Sequence, residues 1–360
     1  MLSANTLLNG RYRIEKLVGQ GGTGAVYKAW AEHLQMMVAV KETTATNESL
    51  LMGFEKQAQR LARLSHPALP RVIEHFVQGH GHYLVMEFIE GANLAEKLQA
   101  TGEAFDVEEA LALGDQLLQA LEYLHGQQPP VIHRDIKPQN IKVMRNGFLI
   151  LLDFGLTKGG LMPQYSNGSE SSFAYSVGYA SPEQMSILGS DQRSDLYSVA
   201  ATIWTLLSGQ SAIDAQVRQQ AAKDGIPDPM RPVNELNSQV SPLVAQVLSN
   251  ALALNRQQRP KSAHEMRQQL RAEVEQKRQA QQQARQARHQ AELERLRRKA
   301  KAAREEIERE SGPAVAVEGT KTIKEPVERE RSSWLARPAL ALFIAFLLLF
   351  CLWLGWQALG

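Results

Sequence analysis

Two short segments with acidic and amide side chains, residues 131–140 and 151–155, constrain this chain more than any other feature. An aspartate can accept the proton of an attacking hydroxyl group, and an asparagine with a second aspartate can hold Mg²⁺ against phosphate oxygens. Asp135, Asn140 and Asp153 supply these groups, and Asn140 lies five residues after Asp135. Each tripeptide alone is common, but both in this order and spacing indicate a site for phosphoryl-group chemistry.

The pattern His-Arg-Asp-x-x-x-x-Asn followed by Asp-Phe-Gly resembles the eukaryotic-like, or Hanks-type, protein kinases. The resemblance covers residues 11–271 and implies an α+β fold of two lobes, with a β-rich N-lobe at about 11–87 and an α-helical C-lobe at about 92–271. Hydrophobic periodicity agrees, because strand-like runs precede Leu94 and helical spacing follows it. Lys137, two residues after Asp135, is typical of the serine/threonine class. Residues 64–72 and 179–184 look like bacterial members.

A glycine cluster at residues 19–24 predicts a phosphate-binding turn, since glycine lets the backbone approach phosphates closely. The same spacing opens dinucleotide-binding folds, but those continue as a helix, whereas Val26-Tyr27 continues as a strand. Lys41 ends the next β-branched run and is predicted to neutralise phosphate charge. The family resemblance implies that ATP would contact Gly19, Gln20, Gly21, Gly22, Thr23, Gly24, Val26, Ala39, Lys41, Met86, Glu87 and Ile89. Glu87 and Ile89 would bind adenine through their backbone groups.

The expected partner of Lys41 departs from the family pattern. A glutamate on the next helix usually pairs with this lysine, but the corresponding position here is Gln57. Glu55 lies about 200° away around a helix and cannot simply replace it. The sequence therefore keeps two alternatives open, an active protein kinase and a pseudokinase or weakly active signalling scaffold. A small-molecule kinase of similar fold is disfavoured by Ser181-Pro182-Glu183.

The resemblance also implies roles in the C-lobe. Asp135 would receive or orient the substrate hydroxyl proton, Lys137 would lie beside the transferred phosphoryl group, and Asn140 and Asp153 would bind Mg²⁺, with Mn²⁺ as an alternative. Residues 156–180 would form an activation segment, in which a phosphorylated serine could pair with Arg134; an unmodified polar loop is the equal alternative. The candidate serines are Ser166, Ser169, Ser171, Ser172 and Ser176, and Glu183 with Arg259 is the predicted structural pair.

The C-terminal part predicts a membrane anchor. Residues 338–356 carry no charge, a membrane-spanning helix needs about 20 apolar residues, and tryptophans lie near both ends of this run. We expect a leader at 1–10, a charged helical stalk at 272–310, a flexible linker at 311–333 and one transmembrane helix at 334–358. Basic residues before the span predict a cytoplasmic kinase domain at a bacterial plasma membrane.

Partners follow from the charge and composition. A formal net charge of +2 does not indicate nucleic-acid binding. Protein substrates and a lipid bilayer are the expected partners. A single helical stalk is preferred, but the thin apolar seam of residues 273–310 leaves a homodimeric coiled coil open. The lone Cys351 suits a reducing compartment.

Overall fold

The computed structural model describes residues 1–21, 24–43, 55, 58–153, 175–185 and 189–310. The chain divides into two units, Met1–Ala287 and Arg288–Gly360. Within the first unit a β-rich part precedes a helical part, as the family resemblance implies.

The β-rich part is an antiparallel sheet of six strands in the order β1-β2-β3-β4-β6-β5. The strands are β1 (Leu7–Leu8), β2 (Tyr12–Gly21), β3 (Gly24–Ala31), β4 (Met36–Thr43), β5 (Val72–Gln78) and β6 (Gly81–Glu87). Gly24 begins β3 at a φ of +149°, where an added Cβ would lie 1.9 Å from the carbonyl oxygen of Glu42. Only glycine allows β3 and β4 to approach this closely after the turn.

Alternation along β4 decides which of its side chains face the helical part. Successive side chains of a strand point to opposite faces. Val38 and Val40 are fully buried with Tyr27 on one face of the sheet. Ala39 packs against the hydrophobic core of the helical part, and Lys41 follows on the same face with a side chain that is 13% exposed.

The helical part is built around one buried helix, α3. Its elements are α1 (Leu94–Thr101), α2 (Val107–His125), β7 (Ile141–Val143), β8 (Leu149–Leu151), α3 (Gln192–Ser208), α4 (Ala215–Lys223), α5 (Val233–Leu236), α6 (Pro242–Ala251) and α7 (Ala263–Glu310). Asp191 caps the N-terminus of α3, and every residue from Ser194 to Leu207 is buried. A helix that is buried all round forms the centre of a core, so residues at its ends have fixed positions.

The start of α7 is attached to α2 by charged groups. Arg267 binds both carboxylate oxygens of Asp115, at 2.9 and 3.2 Å, and its remaining nitrogen donates to Glu122 at 3.0 Å. The helix then continues without interruption to Glu310 and crosses the boundary predicted at 271/272. No glycine or proline occurs between residues 263 and 310, which explains why the helix does not break there.

In the second unit, the described residues are the end of α7, and the side chains of residues 288–303 are exposed. Leu293 and Leu296 of the thin apolar seam are 43% and 56% exposed. No helix among the described residues is long and apolar enough to cross a membrane. The predicted linker at 311–333 and the predicted span at 334–358 lie outside the described residues.

Candidate active site

A serine hydroxyl group lies at the carboxylate of Asp135. The Oγ atom of Ser176 donates to Oδ1 of Asp135 at 2.6 Å and accepts from Nζ of Lys137 at 2.9 Å. The other carboxylate oxygen accepts from Nδ2 of Asn140 at 3.0 Å and lies 3.3 Å from Nζ of Lys137. The site therefore presents a fixed carboxylate and an ammonium group to one hydroxyl oxygen.

The backbone that carries Asp135 is held by Asp195 in the first turn of α3. This fully buried carboxylate accepts from the backbone N–H groups of His133 at 2.9 Å and Arg134 at 2.8 Å, and Nε2 of His125 lies 2.8 Å away. Burial alone would raise the pKa of Asp195, but the hydrogen bond and charge of His125 outweigh it and the pKa is lowered. An ionised Asp195 fixes the loop through Arg134, whose φ is +66°.

Lys41 and Asp153 meet across the cleft between the two parts. Nζ of Lys41 donates to Oδ1 of Asp153 at 2.7 Å, although the residues lie 112 positions apart. Asp153 adopts a φ of +57°, which is uncommon for a residue with a side chain. Its side chain is 35% exposed and remains open to a ligand in the cleft.

One cleft brings most of the predicted site residues together. From the predicted nucleotide set it is lined by Gly19, Gln20, Gly24, Val26, Ala39, Lys41, Met86, Glu87 and Ile89. From the predicted catalytic and metal set it is lined by Asp135, Lys137, Asn140 and Asp153, and Ser176 joins them. Gly21 ends β2, while Gly22 and Thr23 lie outside the described residues.

The passage from β6 into α1 forms the rear edge of this cleft. Glu87 pairs with Val38 of β4, and its N–H donates to the carbonyl of Arg71 at 2.9 Å. Ile89 is buried two residues later, and its carbonyl oxygen accepts from Nζ of Lys142 on β7 at 2.7 Å. This hydrogen bond connects β7 to the segment that joins the two parts.

Sequence reasoning missed several cleft residues. Lys142 lines the cleft beside Leu152, and Asn93 and Glu96 of the α1 capping box line it as well. Asp195, which holds the loop that carries Asp135, was not among the predicted site residues either. A lysine in a three-residue strand gives no periodicity signal, so its position could be found only from the pairing of β7 with β8.

The donor set fits a divalent metal bound together with phosphate groups. Among the residues that the structure describes, no three His, Cys, Asp or Glu side chains are grouped to hold a metal by themselves. Mg²⁺ commonly takes only one or two protein carboxylates and completes its shell with water and substrate phosphates. Asn140 and the partly exposed Asp153, both lining the cleft, supply oxygen ligands of that kind.

Part of the predicted activation segment lies outside the described residues. Ser166, Ser169, Ser171 and Ser172 belong to that part. Gln57, the predicted partner position of Lys41, also lies outside the described residues. Glu55 is described and exposed, and the hydrogen bond that the structure shows for Lys41 goes to Asp153.

Gly178, at a φ of +82°, passes so close to Ala212 that an added Cβ would lie 2.3 Å from its carbonyl oxygen.

The predicted structural pair closes the end of this segment. Arg259 binds Glu183 through two hydrogen bonds of 2.6 and 2.9 Å, and Ser194 donates to the same carboxylate at 2.7 Å. Burial would raise the pKa of Glu183, but these hydrogen bonds and the arginine charge lower it to about 2. A charged, bidentate pair in the core thus attaches the segment to the stretch before α7, and Ser194 attaches it to α3.

A sheet-rich part and a helical part that enclose a Lys–Asp pair beside an Asp–Asn loop define the class of two-lobed kinase folds. A family model described as "Protein kinase domain" matches residues 12–270, and the chain belongs to this family. Within the family its domain is of the Hanks-type serine/threonine group.

Known relatives share the same region. The chain is 30% identical over 275 residues to serine/threonine-protein kinase B of Synechocystis, covering 72% of this chain and 46% of that protein. It is 29% identical over 270 residues to serine/threonine-protein kinase PknB of Mycolicibacterium smegmatis, covering 73% and 43%. The solved structure of PpkA-294 in its apo form superposes with a TM-score of 0.61 at 26% identity, over 75% of this chain and 99% of the other. The chain spans about two fifths of the length of the curated relatives it matches.

Proposed function

We propose that this chain transfers the γ-phosphoryl group of ATP to serine or threonine hydroxyl groups of proteins, with Mg²⁺ as the metal. The observation that carries the proposal is the Ser176 hydroxyl, 2.6 Å from the carboxylate of Asp135 and 2.9 Å from the ammonium group of Lys137. These distances support the proposal, because they place a serine hydroxyl within hydrogen-bond reach of both groups. A substrate hydroxyl would have to share this position with the Ser176 hydroxyl or displace it.

The chain's own groups supply positioning and charge stabilisation, which provide most of the catalysis in phosphoryl transfer. Asp135 orients the attacking hydroxyl and accepts its proton. Lys137 stabilises charge on the transferred group, and Lys41 neutralises charge on the phosphate groups nearer the nucleoside. Bound by Asn140 and Asp153, Mg²⁺ would neutralise phosphate charge.

A direct test uses the full-length protein with labelled ATP, Mg²⁺ and a generic basic protein. Asp153→Ala is expected to abolish metal-dependent turnover, and Asp135→Asn to lower it at least a hundredfold, while the melting temperature stays near that of the wild type. Wild-type-like turnover in Asp153→Ala would refute the assignment.

The pseudokinase alternative remains a second candidate, because Lys41 binds Asp153 and the expected glutamate position is Gln57. If Gln57 faces Lys41, Gln57→Glu supplies a carboxylate and kcat/KM should rise. Wild-type protein that binds ATP but shows no turnover, together with an active Gln57→Glu variant, would favour the scaffold function.

Regulation by phosphorylation of a serine in Ser166–Ser176 is part of the proposal. The guanidinium group of Arg134 is partly buried; burial lowers its pKa, Asp195 opposes this, and the nearby charge of Arg60 lowers it further. An anion between two like charges relieves their repulsion, so a phosphoserine is a suitable partner. Peptide mass spectrometry of active protein tests this, and unchanged activity after replacing the segment's serines by alanine would contradict it.

Anchoring of the chain at a bacterial plasma membrane, with a cytoplasmic kinase domain, is also proposed. Its support is the uncharged run of residues 338–356, whose exposure to water would cost tens of kcal/mol at about 25 cal/mol per Å² of apolar surface. Full-length protein should fractionate with membranes and resist high-salt extraction, and protein ending at Glu330 should be soluble. Release by salt alone would indicate a peripheral helix instead.

A further inference from the structure

Lys142 binds a backbone carbonyl in the segment that joins the two parts of the kinase domain. Its ammonium nitrogen lies 2.7 Å from the carbonyl oxygen of Ile89 and 5.5 Å from the centre of the Phe88 ring. The side chain lines the same cleft as Ala39 and Leu152. The ammonium group of Lys142 thus places a strong hydrogen-bond donor in this part of the cleft.

Glu87 and Ile89 both line the cleft in which the nucleotide is proposed to bind. A 6-aminopurine can donate from its amino group to the carbonyl of Glu87 and accept at ring nitrogen N1 from the N–H of Ile89. Position 2 of that purine then faces the carbonyl of Ile89, which already accepts from Lys142.

We infer that Lys142 makes the nucleotide pocket selective for purines that carry no hydrogen-bond donor at position 2, so that adenine is preferred over 2-aminopurines. This inference rests on the proposed ATP-dependent function and deepens it. A 2-amino group would bring a second donor to the Ile89 carbonyl, directly beside an ammonium group. A carbonyl oxygen has two lone pairs, so counting alone allows both donors, but the ammonium charge repels the amino hydrogens.

Lys28 offers a matched control. Its ammonium nitrogen also lies 5.5 Å from the centre of the Phe88 ring, and it pairs with Glu15 at 2.9 Å. Both lysines therefore contribute a cation to the same ring, but the structure shows the bond to Ile89 for Lys142. Lys28→Met removes one of the two cations from the Phe88 ring but keeps the hydrogen bond between Lys142 and Ile89 that the inference requires.

The experiment compares adenosine with 2-aminoadenosine, which differ in one amino group, by calorimetric titration of the full-length protein without Mg²⁺. Wild-type protein is expected to bind 2-aminoadenosine three- to tenfold more weakly than adenosine, the range that about one hydrogen bond gives. In Lys142→Met the preference should reverse, because the freed carbonyl can accept from the 2-amino group. Lys28→Met should keep the wild-type ratio.

Thermal unfolding checks that each variant folds, and Lys142→Leu serves as a second variant if methionine is not tolerated. An unchanged ratio in both Lys142 variants overturns the inference, as does wild-type protein that binds the two nucleosides equally well. Those results leave the proposed function intact. Absence of adenosine binding to folded wild-type protein would instead refute the ATP assignment itself.

Discussion

The ion pair between Glu183 and Arg259 is expected to contribute strongly to stability. Their side chains are 4% and 0% exposed, and the two hydrogen bonds between them measure 2.6 and 2.9 Å. Removing one partner leaves the other charge buried without compensation, which typically costs about 3–5 kcal/mol. Glu183→Gln keeps the size and shape of the side chain and removes only its charge.

The pKa of Glu183 gives a second, independent value for the stability that this ion pair contributes. Its fall from the ordinary 4.5 to about 2 corresponds to about 3 kcal/mol of stability at neutral pH, at about 1.36 kcal/mol per pH unit. Because the folded-state pKa is the lower one, this contribution is complete above about pH 4.5 and is lost as the pH falls towards 2. Glu183→Gln should therefore lower the free energy of unfolding by about 3 kcal/mol at pH 7 and by much less near pH 3.

Urea unfolding at both pH values measures this difference. Arg256→Met is the matched control: Arg256 lies three residues before Arg259, is 36% exposed, and its 3.8 Å pairing with Asp191 should contribute less than about 1 kcal/mol. The double variant Glu183→Gln/Arg259→Met should recover part of the loss, because neither charge is left unpaired. Equal effects of Glu183→Gln at pH 7 and pH 3, or a control variant as damaging as Glu183→Gln, would show that the reasoning is wrong.

Two further predictions concern the substrate loop and the start of α7. Gly178→Ala should lower protein phosphorylation more than tenfold and leave nucleotide binding unchanged, because a Cβ at a φ of +82° would meet the Ala212 carbonyl. Phosphorylation and nucleotide binding are assayed in parallel, and equal losses in both would contradict this prediction. Arg267→Met should lower the free energy of unfolding by about 1–3 kcal/mol, and Arg271→Met should lower it by less than about 1 kcal/mol. Both arginines bind Asp115, but Arg267 is 13% exposed and Arg271 is 59% exposed. Chemical unfolding ranks the two, and the reverse order would contradict this explanation.

The sequence predicted a strand-rich part before Leu94 and a helical part after it, because hydrophobic periodicity is a local property of the chain. The kinase fold was implied by the family resemblance of the two motifs. The sequence also predicted roles for Lys41, Asp135 and Asp153, from the residue types that phosphoryl-group chemistry needs and from their order in the family pattern. The placement of these residues in one cleft agrees with that interpretation. The roles assigned to Gln57 and to the serines before residue 174 stay predictions, since those residues lie outside the described part of the chain.

The sequence by itself determined which side chains are available and which faces of the elements carry them. Only the tertiary structure decided which distant groups meet: Lys41 with Asp153, 112 positions apart, Ser176 with Asp135, and Lys142 with the carbonyl of Ile89. The physical reason is that alternation and helical spacing fix the direction of a side chain within its own element. The partner across a cleft depends instead on how separate elements pack, and that packing is set by the sum of many contacts along the chain.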